Sequence, residues 1–136
     1  MLTAAKYMAG KNLEAIRIGE EILFALERSH SRLSDYKVLQ INLAHNLSQI
    51  LQDEGRYQEA LLYAKKAENL SICGTEQFLL PEIEFSIAQI LNNMKKRQES
   101  RMRMEALIPY MRLIGKKEIA DLAQEYLAEN LTNDVN

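Results

Sequence analysis

Cysteine occurs once in 136 residues, tryptophan is absent, proline and valine occur twice each and threonine three times. The lone Cys73 excludes a disulfide framework, and equally a four-thiolate zinc site, within one chain. Few β-branched residues other than isoleucine, and only 7% aromatics, leave little of the usual material of strand interiors. No apolar run approaches the roughly 18–20 residues of a membrane span. The start, MLTAAKYMAGKNLEA, lacks a basic segment followed by an apolar core and a cleavage site, so no signal peptide is read. Nor is there an excess of positive charge. With 17 Lys+Arg against 19 Asp+Glu the net charge is −2, which argues against a nucleic-acid binder along the whole chain. These absences predict a soluble protein of a reducing compartment, cytoplasmic in location, with no membrane partner.

What is present is helix-forming material. Leu occurs 20 times, Glu 15 and Ala 14, in a chain that is 47% apolar and 26% charged. These residues favour helix, and the twelve Ile fall at helical spacing, as in Ile83, Ile87 and Ile90. The chain therefore reads as all-α, with helices at about 2–9, 12–28, 33–53, 57–70, 76–94, 97–113 and 116–130. Gly10, Gly55, Gly74 and Gly115 stand where helices would end in a left-handed residue. Gly19 lies inside the periodic segment LEAIRIGEEILFAL, where it would allow close approach of a second helix. Connections are short and no linker divides the chain. We expect one helical-repeat domain over 1–131, with units at about 1–30, 33–74 and 76–114, a terminal helix at 116–130 and a disordered tail at 132–136.

Self-similarity supports the units. In LSQILQDEGRYQEALLYAKKAENL, Gly55, Tyr57, Ala60, Ala64 and Ala67 follow an apolar helix containing Leu47 and Leu51. A shift of 40 residues puts Leu47 on Ile87, Leu51 on Leu91 and Ala60 on Ser100; a shift back by 45 puts Gly55 on Gly10 and Ala60 on Ala15. A small side chain at Ala15, Ala60 and Ser100 would let the two helices of each hairpin approach closely. Recurrence at a near-constant period describes stacked helix–turn–helix units.

Residues 41–74 resemble a tetratricopeptide repeat, with Ala44, Leu47, Ser48, Leu51, Gly55, Tyr57, Ala60, Ala64 and Ala67 in the family's register. Ser48 stands where Gly is usual and Ile72 where Pro is usual; at 81–114, Lys95 and Arg97 replace the turn Gly and Tyr. The spacings of 45 and 40, with LLPEI and LIGKKEIADLAQEYL, are similar to the helical C-terminal half of Xre-type helix-turn-helix transcriptional regulators, including relatives of the peptide-sensing ones. That resemblance implies a right-handed stack of about three antiparallel hairpins and a C-terminal capping helix, acting as a sensor and dimerisation region. The DNA-reading domain of such a regulator would lie N-terminal to this region. If Gly10 marks the first turn, the helix before it, MLTAAKYMA, reads as truncated.

Catalytic patterns are lacking. There is no H-E-x-x-H, no G-x-S-x-G, no glycine-rich phosphate loop and no Cys/His pair at ligand spacing. His30 in SHSRLS reads as a helix-end or solvated histidine, and Cys73 as a small hydrophobe. No enzyme activity, metal or cofactor is expected. The basic run Lys95, Lys96, Arg97, Arg101 and Arg103, followed by Arg112, Lys116 and Lys117, is diluted by Glu99 and Glu105. It reads as a solvated face, without direct nucleic-acid contact.

A binding groove is the remaining candidate. In a stack of hairpins the first helix of each unit lines the concave side. The residues there that packing does not require are Asn42, His45, Asn46, Gln49 and Asp53, and forty residues on Glu82, Phe85, Ser86, Gln89 and Asn93. Amides offer both donor and acceptor to an extended peptide, and Asn46 matches the position where the tetratricopeptide family places an Asn that bonds ligand backbone. The same residues also fit the solvated face of amphipathic helices. The expected function is a non-catalytic module binding a protein or short peptide, as a homo-oligomer. A standalone scaffold or adaptor that self-associates through apolar ends, without a small ligand, is the alternative.

Overall fold

The computed structural model describes residues 4–28, 34–73 and 79–131. Among them are six α-helices and no strands: α1 (Ala4–Arg28), α2 (Ser34–Asp53), α3 (Tyr57–Cys73), α4 (Leu80–Asn93), α5 (Arg97–Leu113) and α6 (Lys117–Asn130). The all-α expectation holds. His30, Gly74 and the expected tail at 132–136 lie outside the described residues, as does the side chain of Cys73.

One expected turn is absent. Gly10 does not end a helix: α1 runs unbroken from Ala4 to Arg28, so the segments expected at 2–9 and 12–28 are one helix and the first unit is not a hairpin about Gly10. A solvent-exposed glycine in a helix interior costs only about 1 kcal/mol in propensity. Helix-forming residues on both sides, and burial of Ile16 and Leu23 on one face, outweigh it. Ala15, expected at a tight crossing, is exposed. The ground for reading the first helix as truncated therefore falls away.

Three other turns are built alike. At Glu54-Gly55-Arg56 the Gly55 N–H bonds the Gln52 carbonyl at 3.0 Å and the Arg56 N–H bonds the Leu51 carbonyl at 2.9 Å. Lys95 and Lys96 repeat this on Asn92 and Leu91, and Gly115 and Lys116 repeat it on Arg112 and Met111. This is the Schellman pattern, which satisfies the last carbonyls of a helix and requires a left-handed residue at its centre. Gly55, Lys95 and Gly115 have φ of 76°, 67° and 85°. Five residues beyond each stands a small, fully buried side chain: Ala60, Ser100 or Ala120. In the second of these pairs the Ser100 Oγ donates to the Ala88 carbonyl of the facing helix. The helices that leave these turns, and α4 too, carry an acid in the first turn (Glu59, Glu82, Glu99, Glu118), which suits the positive end of the helix dipole.

Residues 1–76 and 77–136 form two compact units. In the first, α1 packs on α2 and α2 on α3. A Cβ built on Gly19 would lie 2.8 Å from Cδ2 of buried Leu47, so Gly19 is where α1 and α2 approach closely, as its position in the sequence predicts. Asn12 donates to Glu54 at 2.9 Å, Tyr63 to Glu20, and Lys66 pairs with Glu27 at 2.6 Å. The order of these partners makes α1 and α3 run in the same direction.

In the second unit α5 packs on both α4 and α6. Ala88, Met104, Leu107, Ile108, Met111, Ala120, Ala123, Leu127 and Leu131 make its core, with Phe85, Ile119 and Tyr126 against the edge. Arg101 of α5 reaches the last turn of α6, where its Nε donates to the Leu131 carbonyl at 2.8 Å and Nη2 donates to the same oxygen.

Candidate functional site

The polar residues picked out on α2 share one side of that helix. Ile41, Ala44, Leu47, Ser48 and Leu51 are buried, and the remaining arc carries Asn42, Asn46, Gln49 and Asp53 at spacings of three and four residues. Asn46, Gln49 and Asp53 are exposed, and Asn42 and His45 half-buried. Gln49 Nε2 lies 3.3 Å from His45 Nε2. Ser48, buried beside them, turns its hydroxyl back to the His45 carbonyl at 2.7 Å and so spends its donor inside the helix. The arc thus offers the donors and acceptors of the exposed Asn46 and Gln49 amides and the acceptor carboxylate of Asp53, on a helix fixed by Gly19 behind it and by the Gly55 turn below it.

The counterparts on α4 are set differently. Glu82 is half-buried and accepts from Lys116 Nζ at 2.8 Å and 3.1 Å. Phe85 packs against the core, its ring centroid 5.9 Å from that of Tyr126. Ser86, the counterpart of Asn46, is only 1% exposed. Gln89 is half-buried and Asn93 exposed. The site residues thus fall on two helices in two separate units; α2 brings five of them together, while on α4 Glu82 and Phe85 are engaged within their own unit.

The basic run is largely engaged too. Besides Arg101 at the end of α6 and Lys116 on Glu82, Arg103 pairs with Glu84 and Arg112 with Asp121.

Two features escaped the sequence reading. The first is a cleft of about 300 Å³ in the second unit, lined mainly by Leu80, Pro81, Leu107 and Tyr110, with the Glu84–Arg103 pair (3.1 Å) at its edge. The second is a pair of half-buried tyrosines. Burial, and then the hydrogen bond to Glu20, push the Tyr63 hydroxyl well above the usual phenol range. Burial also raises Tyr126, although the 2.9 Å hydrogen bond from Asn92 Nδ2 works against it. The partners of both hydroxyls lie on other helices, more than thirty residues away in sequence, so no local motif announces them. Among the described residues no group of three or more His, Cys, Asp and Glu is placed to hold a metal, and no helix is long and apolar enough to cross a membrane.

Among the described residues, fold and site together define an all-helical arrangement of six helices, with one recurring interhelical turn and a polar arc on α2. In comparisons with known proteins, no family model, no curated protein and no solved structure matches the chain.

Proposed function

We propose that this chain is a tetratricopeptide-like interaction module that takes an extended peptide or protein segment along the polar arc of α2. The observation that carries the reading is the arc itself: Asn46, Gln49 and Asp53 exposed in register, with Asn42 beside them, on a helix whose other side is buried. Peptide backbone presents donors and acceptors alternately, and amide side chains answer both. The three Schellman turns, each followed by a buried small residue, support a repeat built of helix–turn–helix steps. A regulator's sensor half is the setting the family resemblance implies for such a module. There, a ligand would act by binding one arrangement of the helices more tightly than another.

The test begins with selection of binders from a random peptide library against the intact protein. The selected peptide is then titrated against the wild type and against Asn46→Ala with Gln49→Ala. Each lost hydrogen bond contributes about 1 kcal/mol, so the double variant is expected to bind about 20- to 30-fold more weakly. Amide shifts on peptide addition should concentrate in α2. Equal affinity for both proteins, or shifts confined to other helices, would refute the arc as the site.

A further inference from the structure

Helix α1 carries two apolar stripes. One, with Ile16, Gly19 and Leu23, is buried. The other, Ala15, Ile18, Ile22 and Ala25, is exposed: Ile18 keeps 41% and Ile22 47% of its surface open to solvent. We propose that this second stripe is a self-association surface on which α1 of a second copy lies antiparallel.

Two observations name a second copy as the occupant. The stripe is symmetric about its own midpoint, with alanine outside and isoleucine inside at both ends. In a two-fold interface residue i meets j while j meets i. An antiparallel partner therefore sets Ile18 on Ile22 and Ala15 on Ala25 at both ends at once, and the alanines let the backbones approach. The spacing, fifteen to eighteen to twenty-two to twenty-five, is the three–four alternation of a helix–helix seam.

The second observation is charge. Glu14 and Arg28, both exposed, flank the seam on one side at opposite ends of the stripe. Antiparallel pairing brings Glu14 of each copy to Arg28 of the other, giving two opposite-charge pairs. In a parallel pairing Glu14 of one copy and Arg28 of the other would lie about 21 Å apart along the seam, at about 1.5 Å per residue, and could not meet. Glu21 falls near the two-fold axis, where it meets its own copy, and its charge is already countered by Arg17 at 3.1 Å. Lys11 lies one turn beyond Ala15, past the end of the stripe.

A single helix pair buries less than the roughly 800 Å² per partner of a standard interface. The dimer is accordingly weak and concentration-dependent, with Kd on the order of micromolar. None of these residues lies on α2, so the proposal stands or falls separately from the polar-arc reading.

Sedimentation of the intact protein over roughly 5 to 500 µM tests it. A shift toward twice 15.7 kDa is expected, and an unchanged monomer across that range overturns the proposal. Ile18→Glu, at an exposed position, should leave the circular dichroism unchanged and weaken the dimer about 100-fold, since each dimer loses the contact twice. Glu14→Arg and Arg28→Glu should each weaken association several-fold, and the two changes in one chain should restore it. Association that is unaffected by Ile18→Glu, or a double reversal no better than either single one, would place the interface elsewhere or in another register.

Discussion

Gly10 and Gly19 occupy the same helix nine residues apart, and replacing each by alanine separates two effects that usually arrive together. Alanine gains about 1 kcal/mol over glycine in a helix interior. At Gly10 nothing lies within 4 Å of the added Cβ, so Gly10→Ala should stabilise the protein by about 0.5–1 kcal/mol. At Gly19 the Cβ would sit 2.8 Å from Leu47 Cδ2 and 3.2 Å from Cγ. Carbon atoms prefer about 3.5–4.0 Å, and Leu47, 1% exposed, has little room to withdraw. Overpacking of this kind costs about 1–3 kcal/mol, so the propensity gain is cancelled or overrun. Gly19→Ala should destabilise by about 1 kcal/mol, and the difference between the two variants reads the packing contribution alone. Urea unfolding followed by circular dichroism, with hydrogen exchange of the α1 and α2 amides, measures both. A third arm closes the argument: in a Leu47→Ala background, itself costing about 2–5 kcal/mol, Gly19→Ala should turn stabilising. If Gly19→Ala stabilises the wild type as much as Gly10→Ala does, the close approach of α1 and α2 does not depend on the missing side chain.

Lys95 holds a left-handed conformation that costs a residue with a Cβ about 1–2 kcal/mol; Lys95→Gly should raise stability by about 1 kcal/mol in urea titrations. Gly55→Ala and Gly115→Ala should lower it by a similar amount, despite the open space around both. Removal of the charged hydrogen bonds to the Leu131 carbonyl by Arg101→Ala should cost about 1–3 kcal/mol, and hydrogen exchange should show the last turn of α6 opening first. Tyr63 and Tyr126 are raised in the folded protein, so they keep protons that the unfolded chain releases above its ordinary value of 10.0. Their contribution is complete below that pH and is lost as pH climbs toward the folded values. Tyr63→Phe should flatten the alkaline decline, and tyrosinate absorbance should show delayed ionisation in the native protein.

Most of the helices were legible because leucine, isoleucine and alanine recur at helical period, and because Gly55 and Gly115 stand where a left-handed residue is needed. Gly10 shows the limit of that signal. Glycine marks a stop only where the last carbonyls of the preceding helix are satisfied by the next two amides, a relation that a single residue type does not encode. Lys95 shows the converse, since it takes the same conformation without being glycine; only its place forty residues after Gly55 indicates it. The polar arc of α2 was legible for the same reason as the helices, since one repeat length fixes which side chains share a side. On α4 the same spacing misleads for Phe85 and Ser86. That helix is covered on more of its circumference, and Phe85 and Glu82 have partners on or next to α6, Tyr126 and Lys116, that only the folded chain brings near.

The turn at Lys95 and the turn at Gly115 have the same bonds, and α5 lies between them. It ends one helical pair and begins the next in the same manner, so no feature of the joint distinguishes an opening helix from a closing one. A chain assembled on such joints counts in single helices. It gains or loses length by one helix and one turn, about twenty residues, with no need for a matched partner, and an odd number of helices is as well joined as an even one.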